Sequence, residues 1–190
     1  MHVAGYGPKA LAVAGRQGDG VIIQLADPDI IQWIMDTARK AAAEAGRDPA
    51  ALKCIVSAPS HISDDLADAR EQVRWFPAMV SNHVQDLIER YGTAADSPIP
   101  KALTDYLEAR KFYDYAEHSR VGAKHGEFVT DEICDRFCVL GTAEQATAKL
   151  KELESIGVDQ FNIYLMTHGQ EETLAAYGEH IIPGFASVAA

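Results

Sequence analysis

The first 24 residues, MHVAGYGPKALAVAGRQGDGVIIQ, constrain the fold more than any other stretch, because two apolar runs and one helix-length segment are packed between glycine turns. His2-Val3-Ala4 is a brief apolar run, Gly5-Tyr6-Gly7-Pro8 is a turn with proline at the first helical position, and Lys9 to Arg16 reads as a helix. Gly18-Asp19-Gly20 stops that helix. Val21-Ile22-Ile23 is β-branched and continuous, as expected of a strand buried on both faces. A strand, a helix and a strand in so short a space predict a parallel βαβ unit. Gly5 to Gly7 have two readings at this point. They form a tight strand-to-helix turn and nothing more, or they aim backbone N–H groups at a phosphate.

The rest of the chain repeats the plan. Asp27 caps and Pro28 opens a helix whose Ile30, Ile31, Ile34, Met35 and Ala38 fall at helical spacing, and Gly46 closes it. Leu52 to Ala58 is a third apolar strand, stopped by Pro59, and Ser63-Asp64-Asp65 caps a helix over Leu66 to Phe76. From Pro77 to about Phe137 the alternation pauses, with helical patterns over 77–91, 101–115 and 131–137 and a polar loop over 117–129. Thr142 and Gln145 form a capping box, Gln160 to Met166 is a fourth strand, and Glu171 to Val188 is a closing helix interrupted at Gly178 and Pro183. Four strands, each followed by a helix, predict one α/β domain over residues 1–190 with a parallel sheet and a helical insertion over 77–137. The sheet is doubly wound or part of a barrel, since four units cannot close eight strands.

Composition narrows the function. A net charge of -11 argues against a polyanion partner, because neutralising phosphates takes clustered Lys and Arg, so no nucleic acid is expected. No stretch approaches a membrane span and no signal peptide opens the chain, which predicts a cytoplasmic protein without a membrane partner. The three cysteines suit a reducing compartment. Cys134 and Cys138 lie four apart on a helical pattern, but no second Cys or His pair sits at ligand spacing nearby, and no metal site is expected.

GYGPKALAVAGRQGDGVIIQ, followed downstream by CVLGTAEQATAKLKELESIGVDQFNIYL and a helix ending in Ile-Ile-Pro-Gly-Phe, resembles the C-terminal half of the luciferase-like monooxygenase superfamily. The similarity is greatest to members that use the deazaflavin coenzyme F420, with FMN as the alternative cofactor. The resemblance implies a (β/α)8 barrel of which this chain supplies strands five to eight. It also implies that Gly5, Tyr6 and Gly7, with Ile23 and Gln24 at the end of the next strand, hold the phosphate and ribityl chain of the cofactor, with Lys9 adding charge at the rim. Asp19 is expected only to cap its turn. The family's first four strands, which supply much of the ring pocket, are absent. A truncated reading frame, a proteolytic remnant and a half-barrel completed by association are all consistent with that.

The insertion after the third strand holds Arg110, Lys111 and His118 in its densest stretch of ionisable and aromatic residues, 110–118, with His125 in the polar loop beyond. As a substrate lid it would place a histidine to move a proton and Arg110 or Lys111 to hold an anionic group. As an exposed helix it would simply pair its charges and pack its Tyr and Phe on the barrel edge. His61, just past the third strand, is a further catalytic candidate, with a hydrogen-bonded structural histidine as the alternative. Trp33, Trp75 and Phe76 are expected in the core or at an interface, and Met79, Val80, His83 and Leu87 form an apolar edge.

Two functions follow. The chain is the part of an F420- or flavin-dependent oxidoreductase that anchors the cofactor phosphate and covers a small-molecule substrate, or it is a non-catalytic half-barrel that self-associates through open sheet edges. A homo-oligomer or a separate N-terminal half is the expected partner. A complete nucleotide-binding doubly wound domain fits less well, because no G-x-G-x-x-G pattern is present.

Overall fold

The computed structural model describes residues 1–80, 121–122 and 128–185. It is a parallel α/β half-barrel. Strand β1 (His2–Ala4) leads into α1 (Pro8–Gln17), then β2 (Gly20–Ile23), α2 (Pro28–Glu44), β3 (Lys53–Ile62) and α3 (Leu66–Val73). Further along the chain come α4 (Asp131–Phe137), β4 (Val139–Gly141), α5 (Ala143–Ser155), β5 (Gln160–Tyr164) and α6 (Gln170–Ala176). The chain continues as a π-helical turn over Tyr177–Ile181 and a 3-10 turn over Ile182–Gly184. Among the described residues no helix is long and apolar enough to cross a membrane.

The helix starts follow the local chemistry of the sequence. Pro8 opens α1, the Ile30 N–H donates to the Asp27 carboxylate at the start of α2, and Thr142 with Gln145 closes a reciprocal capping box on α5. Gly46 at φ 73° lets the chain leave α2 through the left-handed region. The expected closing helix bends at Gly178 and Pro183, where the α-helix gives way to the π and 3-10 turns.

Three expectations change. The third strand does not stop at Pro59 but runs to Ile62. Pro59 is the last residue of β3 paired to β5, opposite Tyr164, and Ser60 is the first paired to β4. The proline's missing N–H therefore falls where the ladder changes partner. Residues 139–141 form a fifth strand that is too short to show a periodicity. The helix expected over 66–76 breaks into a turn at Arg74 before residues 75–80 resume helical geometry.

All pairings are parallel. β1 pairs β2, β2 pairs β3, and β5 pairs β3 on its other side, since Ile55 and Val56 have a partner in each neighbour. Alternation along the strands separates two faces. Val21, Ile23, Cys54, Val56 and Ala58 turn outward into a core shared with Leu11, Ile30, Ile31, Ile34, Leu153 and Ile181 of the helices. The opposite, inward face carries Ile22 and Gln24 of β2 and the strand end beyond it, Ser57 and Pro59 of β3, and Asn162 and Tyr164 of β5. There the Asn162 amide donates to Ser57 Oγ at 3.2 Å. The inward face is polar along β5 and the outward face apolar, as expected of a barrel wall with helices on one side only.

Helix α4 is clamped to its neighbours by ion pairs. Arg70 of α3 grips Asp135 of α4 with two hydrogen bonds, of 2.9 and 2.6 Å, and Arg74 reaches Asp131 at 2.7 Å. Arg136 pairs with the buried Asp27 and, at 3.0 Å, with Asp29, while the Ala26 N–H donates to the Phe137 carbonyl at 2.9 Å.

Candidate functional site

The C-terminal ends of the strands carry the chemistry. Gly5 sits in the β1–α1 turn, and a Cβ built there would lie 2.8 Å from the Ala10 Cβ, so the tight turn itself demands glycine. Gly7 is the N-cap of α1 in ordinary extended backbone (φ -82°, ψ 151°). It offers no side chain to cap the helix and Pro8 offers no N–H, which leaves the first-turn amides of Lys9 and Ala10 without a side-chain cap. Lys9 itself is exposed at this turn.

Tyr6 and Gln24 are brought together. The Gln24 backbone N–H donates to the Tyr6 hydroxyl oxygen at 3.1 Å, and the Gln24 side-chain Nε2 donates to the Tyr164 hydroxyl at 2.9 Å. One glutamine thus links the ends of β1, β2 and β5 across the inward face. Burial pushes the Tyr6 hydroxyl well above the ordinary phenol range, against the smaller opposing effect of the Gln24 N–H, so it remains a neutral phenol. Behind Tyr164, the Phe76 ring meets it edge-on at 5.8 Å, and Trp75 meets Phe76 edge-on at 5.7 Å. Trp75 and Phe76 are buried, as the sequence predicts.

Ile23 stands apart from this group. Its side chain is fully buried on the outward, helix-packed face, so only its backbone reaches the site's side of the sheet. His61, at the end of β3, is buried beside Asp68, with 3.8 Å between Nε2 and Oδ2. Arg110, Lys111, His118 and His125 lie outside the described residues, as do His83 and Leu87. Cys134 and Cys138 are buried thiols whose pKa values burial raises, that of Cys134 to about 12. Among the described residues no group of three or more His, Cys, Asp or Glu side chains is arranged to hold a metal ion.

Sequence reasoning passes over Tyr164, and over Asp68 and Gln72 near His61, where Gln72 Nε2 donates to Asp68 Oδ1 at 3.3 Å and Gln72 Oε1 accepts from the His168 N–H at 3.1 Å. A signal for Tyr164 exists in QFNIY, where every second residue is Gln, Asn or Tyr and a period of two puts them on one face. Asp68 and Gln72 carry no comparable signal, because polar residues four apart on a short helix usually face solvent.

Comparison with known proteins bears on this arrangement. The sequence profile of the family described as luciferase-like monooxygenase matches residues 1–160. A 5,10-methylenetetrahydromethanopterin reductase of Methanolobus tindarius is 30% identical over 161 residues, which covers 84% of this chain and 46% of that protein. The coenzyme F420 dependent tetrahydromethanopterin reductase from Methanopyrus kandleri superposes with a TM-score of 0.67 at 22% identity, over 97% of this chain and 50% of that one. The oxygenating constituent of 3,6-diketocamphane monooxygenase from Pseudomonas putida, solved with FMN, superposes with a TM-score of 0.52 at 16% identity, over 96% and 47%. The chain spans about half the length of the curated relatives it matches.

Proposed function

The chain belongs to the luciferase-like monooxygenase family, and from that premise we propose that it forms the cofactor-anchoring half of an F420- or FMN-dependent oxidoreductase. The observation that carries this reading is the bridge from Tyr6 through Gln24 to Tyr164, set across three strand ends beside the uncapped start of α1. Brought together in this way are a neutral phenol, an amide and a second phenol on one side of the sheet, and free helix amides next to them.

These residues fit a phosphate-bearing ring cofactor. The Lys9 and Ala10 amides, at the positive end of the α1 dipole, would take the phosphate, and the Lys9 ammonium would add charge at the rim. Gln24 and Tyr164 would hold the cofactor's polar chain and the edge of its ring, their positions fixed by the hydrogen bond they share. When bound, a deazaflavin or a flavin supplies hydride transfer to or from an organic substrate. The protein's own work is to orient that ring and to exclude water, with the insertion over 77–137 proposed as the cover on the substrate side. Coenzyme F420 is named for the Methanopyrus kandleri enzyme compared above and FMN for the Pseudomonas putida one, and both are retained as alternatives.

Addition of F420 or FMN at about millimolar concentration should raise the melting temperature of the chain. Gln24→Ala should weaken that binding by about thirtyfold, because it removes two hydrogen-bonding groups of roughly 1 kcal/mol each. Gly7→Val, at a backbone conformation any residue can adopt, should do the same by crowding the helix start. Gly5→Val is not a clean probe, because it collides with Ala10. If neither cofactor shifts the melting curve, the anchor is not functional in this chain.

A second reading is favoured by the sheet edges. Among the described residues β1 pairs only with β2 and β5 only with β3, so each presents one open edge. A non-catalytic half-barrel would cover those edges by pairing with a second copy around a two-fold axis. Light scattering should then report a dimer or larger; a 20.6 kDa monomer would rule this reading out.

A further inference from the structure

The two ends of the half-barrel are unlike its middle. β2 is almost wholly buried and β3 is buried from Cys54 to His61, whereas β5 is exposed or half-buried along its length and β1 is exposed at His2 and Ala4. Strands of a parallel sheet are normally covered on both faces. Among the described residues, the large apolar side chains that stand in solvent are confined to the same two ends. Met1 and Val13 lie beside β1, and Met166, Leu174 and Ile182 beside β5.

The helices at these ends carry opposite charge. On α1, Lys9, Val13 and Arg16 are exposed, spacings of four and three put them on one face, and the helix holds no acidic residue. On α6 and the turn that continues it, Glu171, Leu174, Glu179 and Ile182 are exposed. The π-helical turn over Tyr177–Ile181 takes up one extra residue, which returns Glu179 and Ile182 to the face of Glu171 and Leu174. Among the described residues Lys9, Arg16 and Glu171 make no ion pair, and Glu179 meets only the neighbouring His180, at 3.8 Å.

Parallel βα geometry brings two such faces together. A right-handed crossover lays each helix over its own strand and the next one, as α1 lies against α2 within the chain. The strand that extends the sheet at β5 therefore brings its own helix alongside α6. Where that strand is β1 of a second copy, the helix is α1. Both helices run against their strands and hence parallel to each other, and each charged run begins at the second helical residue, Lys9 after Pro8 and Glu171 after Gln170. Down the contact Lys9 then meets Glu171, Val13 meets Leu174, and Arg16 meets Glu179.

We propose that the face formed by β5 and α6 is the docking surface for β1 and α1 of a second copy of this chain. The proposal deepens the self-association reading and rests on it. Each contact joins unlike ends, and a two-fold axis supplies it twice, which leaves neither edge open. The second copy also extends the candidate site, because the turn at its Tyr6 and Gly7 follows the strand beside β5 and so stands next to Tyr164.

The test is light scattering over a dilution series that starts at about 0.1 mM chain, well above the dissociation constant of a micromolar dimer. The wild type should show twice the 20.6 kDa mass of the chain. Lys9→Glu with Arg16→Glu, and separately Glu171→Lys with Glu179→Lys, set like charges against each other at both contacts. Each pair of substitutions should raise the dissociation constant about a hundredfold. An equimolar mixture of the two variants restores opposite charges at both contacts and should form a dimer with one chain of each. A misfolded variant would not be rescued in this way, and a contact between like ends would respond to one of the two variants at most. A monomeric wild type overturns the proposal together with the self-association reading and leaves the edges to further βα units. A wild-type dimer whose dissociation constant neither variant changes, or whose variants fail to combine, overturns the proposal alone, because the copies then associate through another surface.

Discussion

Gly15→Ala should lower the stability of the chain by about 3 kcal/mol, near the top of the range for overpacking a core, and so depress its melting temperature by about 6–12 °C. In the interior of a helix the same change is ordinarily favourable by about 1 kcal/mol. Here α1 lies directly on the α2 backbone. A Cβ at Gly15 would meet the Ala38 carbonyl oxygen and stand 2.9 Å from the Ala42 nitrogen, neither of which can turn aside as a side chain would. Small residues on both helices, Ala14 and Gly15 on one and Ala38, Ala41 and Ala42 on the other, permit this approach. Arg47 then fastens it by donating to the Gly15 and Gly18 carbonyls. Gly178→Ala is the control, because nothing lies within 4 Å of its Cβ, and it should be nearly neutral. Thermal unfolding of the two variants side by side decides the matter. A Gly15→Ala protein as stable as the wild type would mean that α1 and α2 are not so tightly seated.

Arg136→Met should cost about 3 kcal/mol, the low end for a broken buried pair, because the arginine itself is partly exposed. Asp27 is fully buried, and without Arg136 its carboxylate keeps, among the described residues, only the hydrogen bond from the Ile30 N–H. Asp27→Ser removes the charge and keeps a capping oxygen, so the double variant should recover much of the loss. Urea unfolding of the two singles and the double gives the coupling directly. If Arg136→Met alone proves neutral, the pair does not hold α4 to the β2–α2 turn. The effect should also reach the site, since the clamp acts at Asp27, three residues after Gln24.

How much of this architecture the sequence discloses depends on the range of the interactions involved. Pro8, the Asp27-Pro28 start and the Thr142–Gln145 box are local, and each predicts a helix start that the structure contains. The apolar runs of β2 and β3 are legible because continuous burial leaves a continuous pattern. Val139–Gly141 is not, since three residues paired to the far end of β3 leave no period to detect. Gly5 and Gly7 separate for a similar reason. Both look like cradle glycines in one dimension, but in three dimensions Gly5 is required by Ala10, and only Gly7 is set by the helix start alone. Tyr6 and Gln24 are named by resemblance to the family, yet their hydrogen bond to each other and Gln24's reach to Tyr164 depend on how three strands align. The contacts of Gln72 with Asp68 and His168 are visible only once the loop after β5 is folded over α3.

The link between Gln24 and Tyr164 also has a meaning in time. It joins residues 140 positions apart, so it cannot form until the last strand has found its place beside β3. Contacts of such long sequence separation cost more loop-closure entropy than local ones. The hydrogen bond between Gln24 and Tyr164 is accordingly lost whenever β5 comes away. A ligand held by Gln24 and Tyr164 together would act as a latch on that strand, so that the integrity of the sheet is coupled to occupancy of the place where the chemistry is proposed to occur.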